Sequence, residues 1–170
     1  NKKCYSPLIF DKFSGKRSRL FSTPRVKSFN SPALFSLFSD KQNTYDNLKD
    51  FTIPTVAIEN KDQQSINTAV DALKLFVALH PNTQDFSNKI ILKDRFGAGG
   101  NRIFAINSRN QKEKIFEVLK NFKRTKFVIQ PFTKFERGFT YKKYSGFIDI
   151  RVIYMKNKIV QVYLRVAKEK

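Results

Sequence analysis

"IILKDRFGAGGNRIFAI", residues 90–106, is the stretch on which the reading of the whole chain turns. Two apolar runs flank a short, polar, glycine-rich link. Short strands joined by a short loop make an antiparallel hairpin, because a parallel return needs a crossover of roughly a dozen residues or more. Gly97, Gly99 and Gly100 are three of the six glycines in the chain. A tight hairpin needs one or two glycines for its positive-φ positions. Three of them, with Ala98 in between, strip the whole tip of side chains. A bare tip lets main-chain N–H groups approach a phosphate closely and leaves the loop mobile enough to cover it. Lys93, on the strand that feeds the loop, adds a point charge within reach of the same group. The segment is not a P-loop, since no Gly-Lys-Ser/Thr closes it. Nor is it a dinucleotide fingerprint, which requires a strand-to-helix turn.

Outward from this hairpin, "FTIPTVAI" (residues 51–58) is β-branched and carries Pro54, which predicts an edge strand. Residues 62–80 repeat apolar positions at helical spacing through Ile66, Val70, Leu73, Phe76 or Val77 and His80, and Pro81 ends the run. Ser108 is placed to cap a second helix over 109–122, with Ile115, Val118, Leu119 and Phe122 on its buried face. "KFVIQPF" predicts a strand stopping at Pro131. A polar, aromatic connection, "TKFERGFTYKKYSG", follows. "FIDIRVIYM" and "KIVQVYLRVA" then form a hairpin through residues 156–158. Upstream, "SPALFSLFSDK" (residues 31–41) predicts one short helix with Ser31 as cap and Pro32 at its first position. The order β-α-β-β-α-β followed by β-β implies an α+β fold with antiparallel sheet.

The chain has 170 residues, of which 41% are hydrophobic, enough to pack a core. No apolar run approaches the roughly 20 residues of a membrane helix. The N-terminal apolar patches are too short for a secretory signal. Cys4 is the only cysteine, so no internal disulfide forms, which fits an intracellular, cytoplasmic setting. His80 is also alone, and no metal ligand set is expected within these residues. The net charge of +19 has two readings: it favours polyanions (nucleic acid, anionic surfaces or phosphate-bearing ligands), or it reflects a Lys-, Asn-, Ile- and Phe-heavy composition whose lysines solvate the surface. Lys2, Lys3, Lys12, Lys16, Arg17, Arg19, Arg25 and Lys27 face only Asp11 in the first thirty positions.

The motifs, taken in register, resemble the ATP-grasp superfamily, closest to its RimK-type glutamate ligase and glutathione synthetase-like branch. They are Asn30-Ser31 with Asp40-Lys41, Ile53-Pro54-Thr55, Lys93 with its glycine loop, "FVIQPF", Asp149-x-Arg151 and Arg165. The resemblance covers about residues 28–168. It implies that residues 1–50 end a preceding region, that 51–130 form the ATP-grasp small lobe (antiparallel sheet plus two helices), and that 131–170 begin a larger lobe. It implies that Lys41 and Lys93 reach the α- and β-phosphates of ATP, and that Gly97, Ala98, Gly99 and Gly100 fold over the triphosphate. Gln130, Pro131 and Phe132 become the hinge that reads adenine. Asp149, Arg151 and Arg165 face the γ-phosphate and the acceptor. The implied chemistry is carboxylate–amine ligation through an acyl phosphate, with a small carboxylate and an amine or peptide as substrates. Mg²⁺ is the implied metal, with its ligands expected beyond Lys170, so that the chain is expected to be truncated. The alternative is a non-catalytic basic scaffold of the same descent that binds RNA or another polyanion.

Overall fold

The computed structural model describes residues 8–9, 27–28, 32–107, 109–134, 139–141, 144–155 and 158–167. The expected caps Ser31 and Ser108, and Asn30, lie outside them. The chain divides into two compact units, Asn1–Phe132 and Thr133–Lys170.

The first unit is α+β. Strands β1 (Leu8–Ile9) and β2 (Lys27–Ser28) pair in parallel. Helices α1 (Pro32–Ser39) and α2 (Lys41–Asn47) follow, then β3 (Val56–Ile58), α3 (Gln63–Ala78), β4 (Phe86–Asp94), β5 (Ile103–Ile106), α4 (Gln111–Lys120) and β6 (Phe127–Thr133). The sheet order is β3-β6-β4-β5. β4 and β5 are the antiparallel hairpin expected from residues 90–106, in register from Ile90↔Ile106 to Lys93↔Ile103. β3 is an edge strand antiparallel to β6. Arg95 N–H donates to the Lys126 carbonyl at 2.8 Å, while Lys89 Nζ lies 5.8 Å from the Phe132 ring centroid. β4 and β6 therefore run past each other in opposite senses.

One face of this sheet carries the core. Ile90 and Leu92 from β4, Ile106 from β5, Phe127 and Ile129 from β6 and Ile58 from β3 meet Ile66, Ala69, Val70 and Leu73 of α3 and Ile115 and Leu119 of α4. Side chains alternate across a strand, so Ile91 and Lys93 point to the other face. α3 forms because Asp62 caps it, accepting from Ser65 N–H at 2.7 Å, and because its apolar residues recur on one stripe. α4 starts without a side-chain cap, at Asn110 in the left-handed region (φ 54°). Asn tolerates that conformation better than most residues do.

Three expectations need correction. The expected helix over 31–41 is α1, which stops at Ser39, and a second helix that was not expected, α2, follows, capped by the extended backbone and carboxylate of Asp40. Only residues 56–58 of the expected edge strand pair, since Lys49–Phe51 is a 3₁₀ turn and Pro54 lacks the N–H that a ladder needs. β6 runs through Pro131 to Thr133. The β3 ladder ends at the pair Val56↔Ile129, so Pro131 interrupts no bond on that side.

The second unit is an antiparallel sheet, order β7-β8-β9, of β7 (Phe139–Tyr141), β8 (Tyr144–Met155) and β9 (Lys158–Ala167). β7 lies within the stretch expected to be a connection. β8 and β9 form the expected hairpin, closing at Met155↔Lys158. The register moves from Ile153↔Gln161 to Tyr154↔Ile159, which leaves Val160 as the extra residue of a bulge.

Candidate functional site

The hairpin loop is fastened at its entry. Asp40 accepts from Gln42 N–H at 3.0 Å as the cap of α2, and the same carboxylate takes Arg95 through Nε and a terminal nitrogen, both at 2.7 Å. Lys41 follows with its N–H on the Arg95 carbonyl, 3.2 Å. Its Nζ donates to the carbonyls of Asp94 (2.9 Å), Arg95 (3.3 Å) and Gly97 (2.6 Å). Asp94, itself buried, accepts from Phe96 N–H at 3.0 Å and from Arg102 at 2.8 Å. Arg102 stands on the exit side at φ 55°, with its guanidinium 5.8 Å from the Phe122 ring centroid. Phe122 packs in turn on Phe104 and Phe127 at 5.7 and 5.6 Å.

The three loop glycines are there for different reasons. A Cβ on Gly97 would sit 2.8 Å from the Asp94 Cβ, so the close approach excludes any side chain. Gly99 and Gly100 have φ of +69° and +78°, and a Cβ on either would meet nothing within 4 Å. The open part of the tip begins after Gly97, and Ala98 there is exposed.

Lys93 projects from the sheet face opposite the core and is half-buried. Among the described residues its ammonium has neither a hydrogen-bond acceptor nor a carboxylate partner. Burial pushes its pKa below the ordinary lysine value, and the neighbouring Lys41 ammonium pushes it further the same way. Lys41 is also lowered by burial, partly countered by Asp94 and Asp40. The result is a pair of neighbouring ammonium groups, of which Lys41 is tied to carbonyls and Lys93, among the described residues, is not.

Gln130 is buried on β6. Its amide donates to Thr55 Oγ1 at 2.8 Å, and Thr55 Oγ1 donates to the Ile53 carbonyl at 2.9 Å. The Gln130 Oε1 is buried with no partner. Pro131 is buried beside it, and Phe132 carries Lys89 on its ring. In the second unit, Asp149 is the direct cross-strand partner of Arg165, and Arg151 of Tyr163. Arg151 and Arg165 are thus diagonal neighbours on one face of the hairpin.

The structure therefore gathers Lys41, Lys93 and Gly97–Gly100 around one loop, and Asp149, Arg151 and Arg165 on one hairpin. Asp94, Arg95 and Arg102 were not singled out from the sequence. The hairpin register held a signal for one pair: the positions just beyond Lys93↔Ile103 are 94 and 102, an acid facing a base. Arg95 meets Asp40 from 55 positions away, and no local pattern announces that pairing.

No protein-family model matches the chain, and no curated protein does. Among solved structures, it is similar to N5-carboxyaminoimidazole synthase of Aspergillus clavatus in complex with ADP and 5-aminoimidazole ribonucleotide, at 15% identity and TM-score 0.45, over 81% of this chain and 34% of that one. It is similar also to carboxyaminoimidazole ribonucleotide synthase of the same organism complexed with ATP, at 15% identity and TM-score 0.47, over 81% of this chain and 35% of the other. The chain thus spans about a third of the length of these enzymes, by the 34% and 35% covered.

Proposed function

We propose that the first unit binds the phosphates of ATP, as the nucleotide lobe of an ATP-grasp carboxylate–amine ligase. The observation that carries this reading is Lys93. A half-buried ammonium that has no acceptor among the described residues, next to a second ammonium, is unfavourable in the free chain and is relieved by an anion. The loop at its side carries Gly99 and Gly100, where even an added Cβ would meet nothing within 4 Å. These residues fit a polyphosphate. They do not fit a metal: among the described residues no three His, Cys, Asp or Glu side chains converge, so no Mg²⁺ site is assigned here.

Within this reading Gly97–Gly100 cover the phosphates and the Gln130–Phe132 backbone reads the base. In the second unit, Asp149, Arg151 and Arg165 share one hairpin, and a catalytic role for them rests on the sequence resemblance. ATP supplies the phosphoryl group that activates a carboxylate for attack by an amine. Positive side chains stabilise the charge that develops on the transferred group. Calorimetric titration of the chain with ATP tests the reading. Binding that is lost in Lys93→Met and retained in Lys89→Ala is expected. Absence of heat at millimolar ATP overturns it.

A second reading, a basic scaffold for RNA or another polyanion, is favoured by a separate groove of about 330 Å³ in the first unit. Lys61, Lys123, Arg124 and Lys126 line it against the single acid Glu59. Lys61 Nζ is fixed on the Phe122 carbonyl. If this groove holds nucleic-acid phosphates, affinity for mixed-sequence RNA falls steeply with salt, and replacing Lys123, Arg124 and Lys126 with Glu flattens that slope. A slope unchanged by the triple replacement removes the groove from consideration.

A further inference from the structure

We propose that Lys41 is a positioning residue that fastens the entry arm of the glycine loop to α2, and not a ligand of the phosphates. The second half of this statement rests on the nucleotide reading above; the first half does not. It reverses the role that the family resemblance implies for Lys41.

An ammonium has three N–H donors and no acceptor. The three main-chain oxygens within reach of Lys41 Nζ, on Asp94, Arg95 and Gly97, match that number. The Lys41 N–H holds the Arg95 carbonyl again, and Asp40 takes the Arg95 side chain in a two-point grip. Two consecutive residues in the first turn of α2 thus bind three residues of the loop entry. To reach a phosphate, Lys41 would have to release part-buried carbonyls, each of which then lacks its donor. Lys93, one residue before this tethered arm, has no such bonds to give up. Past Gly97 the restraints thin out: among the described residues, the main-chain bond across the tip is Asn101 N–H to the Ala98 carbonyl at 3.5 Å. The loop is built as a fixed arm to Gly97 and a free tip over Ala98–Gly100.

The test uses the whole chain with ¹⁵N-labelled lysine side chains and inorganic triphosphate as the probe. Lys41 is expected to show ammonium protons that exchange slowly with water before the probe is added, and a signal that stays in place afterwards, while the Lys93 signal moves. In parallel, amide exchange at residues 95–97 is expected to rise by about tenfold or more in probe-free Lys41→Met and to stay unchanged in Lys93→Met. A Lys41 signal that moves together with Lys93, or loop exchange unaltered in Lys41→Met, overturns the proposal. A loosened loop in Lys41→Met with no response of Lys93 to triphosphate upholds the tether and sinks the nucleotide reading. Should Lys41→Met not fold, the wild-type titration decides alone.

Discussion

Arg95 grips Asp40 through both carboxylate oxygens, each at 2.7 Å, and so joins the start of a helix to the start of a loop 55 residues further on. Both side chains are mostly shielded, at 20% and 16% exposure, which places the pair above the negligible class of open surface ion pairs. Its geometry is the two-point one that a planar guanidinium and a carboxylate prefer.

The Arg95 hydrogen bonds, against the opposing effect of burial, hold the Asp40 carboxyl below its ordinary value of 3.8. A depressed carboxyl contributes stability above its unfolded value and loses it as the pH falls through the folded one. Asp40→Asn is expected to cost about 1–2 kcal/mol at neutral pH, through the weakened pair and cap. The gap between variant and wild type should close on acidification below about pH 4, which thermal melts across pH 2–7 check. A constant gap over that range would mean that charge is not what holds the two together.

Lys93 works in the other direction. Its folded-state pKa lies below the ordinary 10.5, so the unfolded chain keeps the proton to higher pH. Stability should therefore rise as the pH climbs through the folded-state value toward 10.5. Lys93→Met is expected to stabilise the free chain at neutral pH by about 0.5–1 kcal/mol while removing its affinity for triphosphate. Chemical denaturation with and without the anion separates the two effects. A variant less stable than wild type would contradict an unanswered charge at this position.

The glycines differ in what they tolerate. Gly97→Ala forces a Cβ to 2.8 Å from Asp94 and should cost about 1–3 kcal/mol, as overpacking does. Gly99→Ala meets no neighbour and should cost only about 1–2 kcal/mol, from its left-handed backbone. The sharper contrast is in place: amide exchange should quicken around Asp94 and Phe96 in the first variant and only at the tip in the second. Equal patterns would show that the loop responds as one piece.

The hairpin of residues 90–106, the helix over 63–78 and the buried stripe of α4 were legible because each is written in local periodicity. Ile90 and Leu92 alternate with Ile91 and Lys93, and Ile66, Val70 and Leu73 recur at helical spacing. α2 was harder to see, since "KQNTYDN" buries only Tyr45 and so shows no apolar stripe, leaving Asp40 as its one local mark. Pro131 argued for a strand end, yet its missing N–H faces a side where β3 has already stopped. Lys41 and Lys93 were named together, but their unequal bonding depends on carbonyls brought in by the tertiary fold. That difference cannot be written in two lysine letters.

The β8–β9 hairpin has one face made of Ile150, Val152 and Tyr154 paired with Leu164, Val162 and Ile159, and all six are more than a third exposed. This gives the chain a colloidal problem that its charge answers. At +19, two copies repel each other before such apolar ribbons can meet, and salt shortens the range of that repulsion to ~10 Å at 0.1 M. The excess of lysines and arginines thus acts as a dispersant. Light scattering should rise with ionic strength, and Val152→Lys with Val162→Lys should suppress the rise. The chain should be easiest to keep in solution where its electrostatics are least screened.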